Sequence, residues 1–167
     1  MKELVGKAKC VLLDDIDTDN IFHASLLTIH EPEKIRPYIF GNLKGYENFG
    51  KQNHNNTILF VGARFGKGST RQQAVTGFLA HGIQVIVGIS FGPIYYGNAV
   101  NAGLLLIEVP DLKNYNFEDE DEIKISIENS KLENLTKKFK IDIKPIPKPL
   151  LDIRESGGLL ELGKTWS

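Results

Sequence analysis

The chain has 167 residues, with 20 Lys plus Arg against 21 Asp plus Glu, a formal net charge of −1 and a single cysteine. That length suits one domain spanning residues 1–167, and a compact fold of this size buries roughly 68–70% of its extended-chain surface, enough for a core without staples. The balanced charge argues against nucleic-acid binding through a basic face, one thiol excludes an internal disulfide or a metal site built on this chain's thiolates, and the lack of a long apolar run or signal-type leader points to a soluble cytoplasmic protein with no metal of its own.

Residues 6–13 alternate and then run apolar, which reads as a first strand ending in the acidic cluster Asp14-Asp15-Ile16-Asp17-Thr18-Asp19-Asn20. Such side chains bond nearby backbone N–H groups and favour turns and helix starts. Residues 21–30 are apolar without clean periodicity and read as a loop; 31–34 read as a short helical turn with Pro32 in its first turn, and 41–56 as connecting sequence. Residues 57–61 form a second strand. From 72 to 81 the apolar positions repeat at helical spacing, with Gly82 placed as a C-terminal cap. A strand over 83–89, a short helix over 95–103 and a strand over 104–109 complete a βαβ rhythm, which predicts an α/β architecture with parallel pairing. The acidic run 117–122 reads as a solvated turn. The alternating Ile123, Ile125 and Ile127 predict a strand whose hairpin partner is 139–143, and Pro145, Pro147 and Pro149 mark an extended link to a terminal helix over 150–155, closed by Gly157-Gly158.

The chemistry concentrates in Gly62-Ala63-Arg64-Phe65-Gly66-Lys67-Gly68-Ser69-Thr70-Arg71, between a predicted strand and a predicted helix. Glycines allow close backbone approach, and a helix start offers free N–H groups to an anion. It is not a nucleotide-binding P-loop: the glycine spacing is one residue short and Lys67 is followed by Gly68 rather than a hydroxyl residue. What remains is a small-anion cradle in which Arg71 can fork onto a carboxylate and Ser69 stands exposed. The plainer reading makes Ser69 a helix N-cap and Arg71 a surface residue.

These residues, together with Ser90-Phe91, Tyr96, Asn98 and Asn101-Ala102-Gly103, resemble the small subunit of the isopropylmalate dehydratases, in the aconitase superfamily. The resemblance runs from about Gly6 to Val109, and the Gly157-Gly158-Leu159 ending is similar too. It implies a swivelling β/β/α domain that docks on a separate large subunit holding a 4Fe–4S cluster, with none bound by this chain. The implied reaction moves a hydroxyl group between adjacent carbons of a hydroxydiacid by dehydration and rehydration. Ser69 matches the catalytic serine, the base that takes a carbon-bound proton. Thr70 assists beside it, Arg71 matches the substrate-carboxylate arginine, and Asp14 and Asp17 match positions at the mouth of the site.

The loop matching the substrate-specificity segment is Leu26-Leu27-Thr28-Ile29. Thr28 stands where relatives acting on tricarboxylates carry an arginine, and an apolar wall suits an isopropyl group while leaving a third carboxylate unpaired. The plainer alternative makes Leu26, Leu27 and Ile29 buried loop anchors; the specificity reading is favoured. Departures from the family pattern are Lys67, Gln72, Gln73, Gly92-Pro93 and Gly97, where arginines are usual at two of the sites. They keep open another hydroxydiacid, homocitrate or dimethylmalate, and a non-catalytic carboxylate-binding relative. The four histidines share no ligand spacing; His54 sits in polar connecting sequence, and His81 suits a helix C-terminus, where a positive charge is favoured.

Overall fold

The computed structural model describes residues 3–164. A single seven-stranded sheet runs β4-β3-β2-β1-β5-β6-β7. Its strands are β1 (Glu3–Val11), β2 (Thr57–Val61), β3 (Val85–Gly88), β4 (Leu105–Glu108), β5 (Glu122–Ser126), β6 (Lys131–Asn134) and β7 (Phe139–Asp142). The long β1 is the spine: its second half pairs parallel with β2 from Lys7 to Val11, and its first half pairs antiparallel with β5 from Glu3 to Lys7. Four parallel strands thus lie on one side and an antiparallel meander on the other.

The apolar runs of β2, β3 and β4 are buried on both faces, as parallel strands covered on two sides require. On one face Leu59, Val61, Ile86 and Leu106 pack with Ala74, Val75 and Phe78 of α3 (Gln73–Ala80), Tyr95 and Ala99 of α4 (Pro93–Asn101), and Ile35 of α2 (Pro32–Ile35). On the other face Ile58, Phe60, Val87 and Ile107 share a core with Ile123, Ile125, Leu132 and Ile141, so the meander curls over the parallel strands as a second β layer. Phe60 stacks on Phe117 at 4.5 Å between ring centroids. Each such side chain contributes about 1.5–3 kcal/mol when fully buried. The order of layers is β/β/α, the architecture expected from the sequence.

Several elements depart from expectation. The strand at 139–142 pairs with β6, and β6 alone is the hairpin partner of β5. The acidic run is only partly a solvated turn. Asp121 is buried, where it accepts from Asn134 Nδ2 at 2.8 Å and from the Glu118 N–H at 3.0 Å, while Asp119 accepts the Cys10 N–H at 2.7 Å. Residues 21–30 are not one loop: Ile21 closes α1 (Thr18–Ile21), and a 3₁₀ turn follows at Ala24–Leu26. Beyond α5 (Lys148–Glu155) and the two glycines stands α6 (Leu159–Lys164). His54 and His81 are buried, against the expectation of a polar connector and a charged helix end. No helix of the described residues is long and apolar enough to cross a membrane.

Candidate active site

Parallel strands deliver the loops after them to one sheet edge, where ligands of open α/β folds bind. Here the acidic loop after β1, the glycine loop after β2 and the loop after β3 are laced together by backbone hydrogen bonds. The Asp15 N–H donates to Ala63 O at 2.8 Å, the Gly66 N–H to Ile16 O at 2.7 Å, and the Thr18 N–H to Lys67 O at 2.9 Å. On the other flank the Phe65 N–H donates to Ser90 O, the Gly92 N–H to Phe65 O, and the Arg64 N–H to Ser90 Oγ at 2.8 Å. The glycine loop is therefore the middle strip of a braced platform. Gly66 and Gly68 have φ of +80° and +106°, and Arg64 adopts the same left-handed region at +56°. Such a conformation in a non-glycine residue is held only where its surroundings over-determine it.

Charged side chains reinforce the lacing. Asp15 takes both Arg64 Nε at 2.5 Å and Nη2 at 2.8 Å, with Lys67 Nζ 3.3 Å away. The Arg64 hydrogen bonds hold the Asp15 carboxyl well below the usual carboxylate range. Asp14 accepts from the Ala63 N–H and from Lys113 Nζ, 2.8 and 2.9 Å away, which also lowers its pKa. Asp17 caps α1, accepting the Asn20 N–H at 2.9 Å. The two aspartates thus sit at opposite ends of the glycine loop: Asp14 at its start, and Asp17 beside its far end, where a Cβ on Gly68 would come within 3.8 Å of the Asp17 Cβ.

Ser69 and Thr70 lie in the exposed turn that follows, and neither side chain hydrogen-bonds to any described residue. Ser69 is not a helix cap: α3 begins at Gln73, and its N-cap is Gln72 with no side-chain cap bond. Arg71 is not a free surface residue either. Its side chain is 12% exposed, and Nη1 donates at 2.9 Å both to Asp19 Oδ1 and to the Phe22 carbonyl. The Ala24 N–H and Arg71 together lower the pKa of Asp19. Two residues on, the buried Gln73 donates through Nε2 to the carbonyls of Leu27 at 3.1 Å and Ile29 at 3.2 Å. Residues 26–29 are therefore tied to the Ser69–Arg71 turn. Of these four, Leu26 and Ile29 pack on the core, whereas Leu27 and Thr28 are exposed.

Asp15, Asp19, Arg64, Gln73 and Ser90 act in this platform although the sequence reading gave none of them a role of its own. Acids gathered in one loop and bases in the other were the available signal. The pairings join residues 49 and 52 positions apart, which spacing alone does not specify. Among the described residues no three His, Cys, Asp or Glu side chains converge as metal ligands. The Cys10 thiol, pushed up to about 12 by burial and by Asp119, is a poor thiolate donor. This chain's own residues do not fit an iron–sulfur cluster.

The family model for the aconitase C-terminal domain matches residues 29–112. A crystal structure of 3-isopropylmalate dehydratase LeuD from Methanocaldococcus jannaschii superimposes with a TM-score of 0.85 at 26% identity, covering 98% of this chain and 95% of that one. The fold is thus that of an aconitase-type swivelling domain. Relatives named 3-isopropylmalate dehydratase small subunit 1 are 36% identical in Archaeoglobus fulgidus, over 91% of this chain and 92% of theirs, and 33% identical in Methanopyrus kandleri, over 98% and 95%. The chain belongs to the family of 3-isopropylmalate dehydratase small subunits.

Proposed function

We propose that this chain is the small subunit of a cytoplasmic two-subunit hydro-lyase that interconverts 2- and 3-isopropylmalate, a step of leucine biosynthesis, by dehydration and rehydration. The observation that carries the reading is the Ser69–Thr70–Arg71 turn: two unbonded hydroxyls beside an arginine whose Nη1 is fixed by Asp19 and Phe22 O. The relatives described above all carry the isopropylmalate name, which favours that substrate over homocitrate or dimethylmalate.

In this reading Arg71 binds a substrate carboxylate, and its fixed head group lowers the cost of the charge that builds as the neighbouring carbon loses its proton. Ser69 Oγ takes that proton. Loss of hydroxide from the adjacent carbon gives an enoic acid, and water adds back with the opposite regiochemistry. Thr70 assists at the hydroxyl position, Asp14 and Asp17 hold the mouth of the site, and Leu27 and Thr28 face the isopropyl group, backed by Leu26 and Ile29, which pack on the core. A serine hydroxyl open to water does not ionise near neutrality; it needs a positive, water-poor surrounding. That enclosure comes from the partner large subunit, whose 4Fe–4S cluster supplies the Lewis acid for the substrate hydroxyl.

The test is co-expression with the iron–sulfur subunit of the same organism, anaerobic purification and assay against a panel of hydroxydiacids. Activity is expected only from the pair, highest with isopropylmalate. Ser69→Ala is expected to cost about 10²–10⁴-fold in kcat with unchanged subunit assembly. Turnover by this chain alone, full activity in Ser69→Ala, or a preference for homocitrate would each overturn the corresponding part.

A further inference from the structure

His23 stands where the anchors of Arg71 meet residues 26–29. The residue before it, Phe22, supplies one acceptor of Arg71 Nη1. The residue after it, Ala24, donates its N–H at 3.0 Å to Asp19 Oδ1, which is the other acceptor. Asp19 Oδ2 in turn accepts from Asn42 Nδ2 at 3.1 Å. Arg71 is thus secured through Nη1, and its buried Nε has no partner among the described residues.

The His23 ring belongs to the same knot. Its Nδ1 caps the 3₁₀ turn Ala24–Leu26, accepting the Ser25 N–H at 3.1 Å with Ser25 Oγ 2.8 Å away, and its Nε2 faces Asp19 Oδ2 at 3.9 Å. A ring nitrogen that accepts an N–H carries no proton, so the imidazole is neutral with its hydrogen on Nε2. The Leu26 N–H then bonds His23 O, and the Ile29 N–H bonds Leu26 O, each at 3.0 Å. The stretch therefore has a neutral imidazole at its start and Gln73 on the carbonyls of Leu27 and Ile29 at its end. The charged groups facing the ring are Asp19 from α1 and, behind Asp19, Arg71 from the Ser69–Arg71 turn. Protonation of His23 acts on both sides of this knot. It makes Nδ1 a second donor set against the Ser25 N–H, so the cap is lost. It also places a positive charge 3.9 Å from the carboxylate that Arg71 uses, so two cations compete for one anion.

From this geometry we infer that neutral His23 is a positioning residue of the substrate site, holding residues 26–29 and the Arg71 anchor together, and that its protonation weakens substrate binding. The inference rests on the reading above of Arg71 and residues 26–29 as substrate contacts. Histidine is the side chain that changes charge between about pH 5 and 8, so the site carries a pH-dependent affinity within an ordinary assay range.

Steady-state kinetics of the co-expressed pair with isopropylmalate, from about pH 8 down to about pH 6, test this. The parent KM is expected to rise about three- to tenfold relative to that of His23→Asn, whose side-chain oxygen still accepts the Ser25 N–H but does not titrate. Both proteins see the same ionisation of the substrate, so the ratio of their KM values isolates the ring. His23→Ala has no acceptor and is expected to raise KM about threefold or more over His23→Asn at the alkaline end, where rescue by Asn marks the cap. On the free chain, an NMR titration is expected to show the Ser25 amide moving with the His23 ring. A KM ratio that stays constant with pH, or a Ser25 amide that ignores the His23 titration, overturns the inference. A Ser25 amide that follows the ring, in a pair that does not turn over isopropylmalate, upholds the coupling and overturns the substrate reading instead.

Discussion

Gln73 illustrates how one buried side chain can hold a whole loop segment in place. Its buried amide nitrogen satisfies the carbonyls of Leu27 and Ile29 at once, and so fixes where Leu27 and Thr28 are presented. The structure ties the arginine and the specificity segment to the same short stretch, since Arg71 holds Phe22 O while Gln73 holds the segment's far end. Replacing Gln73 by Leu leaves two carbonyls without their donor and costs about 1–3 kcal/mol of stability. In the assembled enzyme the loosened segment is expected to raise KM for isopropylmalate severalfold with a smaller change in kcat, since the proton-transfer groups stay in place. Steady-state kinetics beside a thermal melt check this, and an unchanged KM in a destabilised variant would reduce Gln73 to a purely structural role. A Glu at this position carries no donor and is expected to fare no better than Leu.

At the scale of elements, glycines in the loop after β2 differ in what they protect. Gly66 lies at φ +80° against the buried Tyr95, whose hydroxyl donates to Ala74 O at 2.8 Å, and a Cβ there would stand 2.7 Å from the Tyr95 Cβ. Gly66→Ala therefore meets both the left-handed penalty and an overlap in the core, about 2–4 kcal/mol together. At Gly68 the nearest atom to such a Cβ is Thr18 Oγ1 at 3.3 Å. Gly68→Ala is expected to cost about 1–2 kcal/mol, the conformational part alone. Urea denaturation of the two variants decides whether the difference is packing; equal losses would refute it. The same contrast explains what the sequence made legible. Helix α3, with Ala74, Val75 and Phe78 on one face and Gly82 at its end, follows from local pattern. So do the parallel strands, whose continuous apolar runs demand cover on both faces. Strand β6 (Lys-Leu-Glu-Asn) does not, because its buried Asn134 faces Asp121, so the alternation holds a single apolar residue. The same holds for the Arg71–Asp19 and Arg64–Asp15 pairs. The motif located the loop, but charge partners distant in sequence meet only once β1 and β2 are paired in register.

Taken over the whole molecule, the acid-side pH dependence of stability divides between two buried histidines and a set of carboxylates that includes Asp121 and Glu118 as well as those of the loop platform. Under the helical layer, His54 stacks on Phe49 with 3.8 Å between centroids and donates to the Phe49 carbonyl, while His81, fully buried, donates through Nε2 to Arg36 O at 2.8 Å. The carbonyl acceptor fixes the Nε2–H tautomer of His81, and its buried Nδ1 has no partner among the described residues. Protonation would put an N–H where nothing accepts it. Burial lowers both pKa values, that of His81 from 6.5 to about 4; the hydrogen bond to the Arg36 carbonyl and the Glu33 charge oppose the shift at His81, while the charges of His54 and Arg36 add to it. A histidine depressed in the folded state leaves the unfolded chain binding the proton first. The stability it supports is therefore complete above about pH 6.5, falls as the pH drops, and reaches its floor near pH 4. Asp14, Asp15 and Asp19 of the site are shifted below their ordinary 3.8, so the stability they provide is lost only at more acid pH. The two windows separate the buried histidines from the carboxylates. His81→Gln keeps a side-chain donor for Arg36 O but does not titrate, and with His54→Gln it is expected to flatten the fall in urea midpoint between pH 6.5 and 4, leaving the loss below pH 4 intact. A slope unchanged in the double variant would place the titration elsewhere and show that the buried pair does not set the acid limit of the fold.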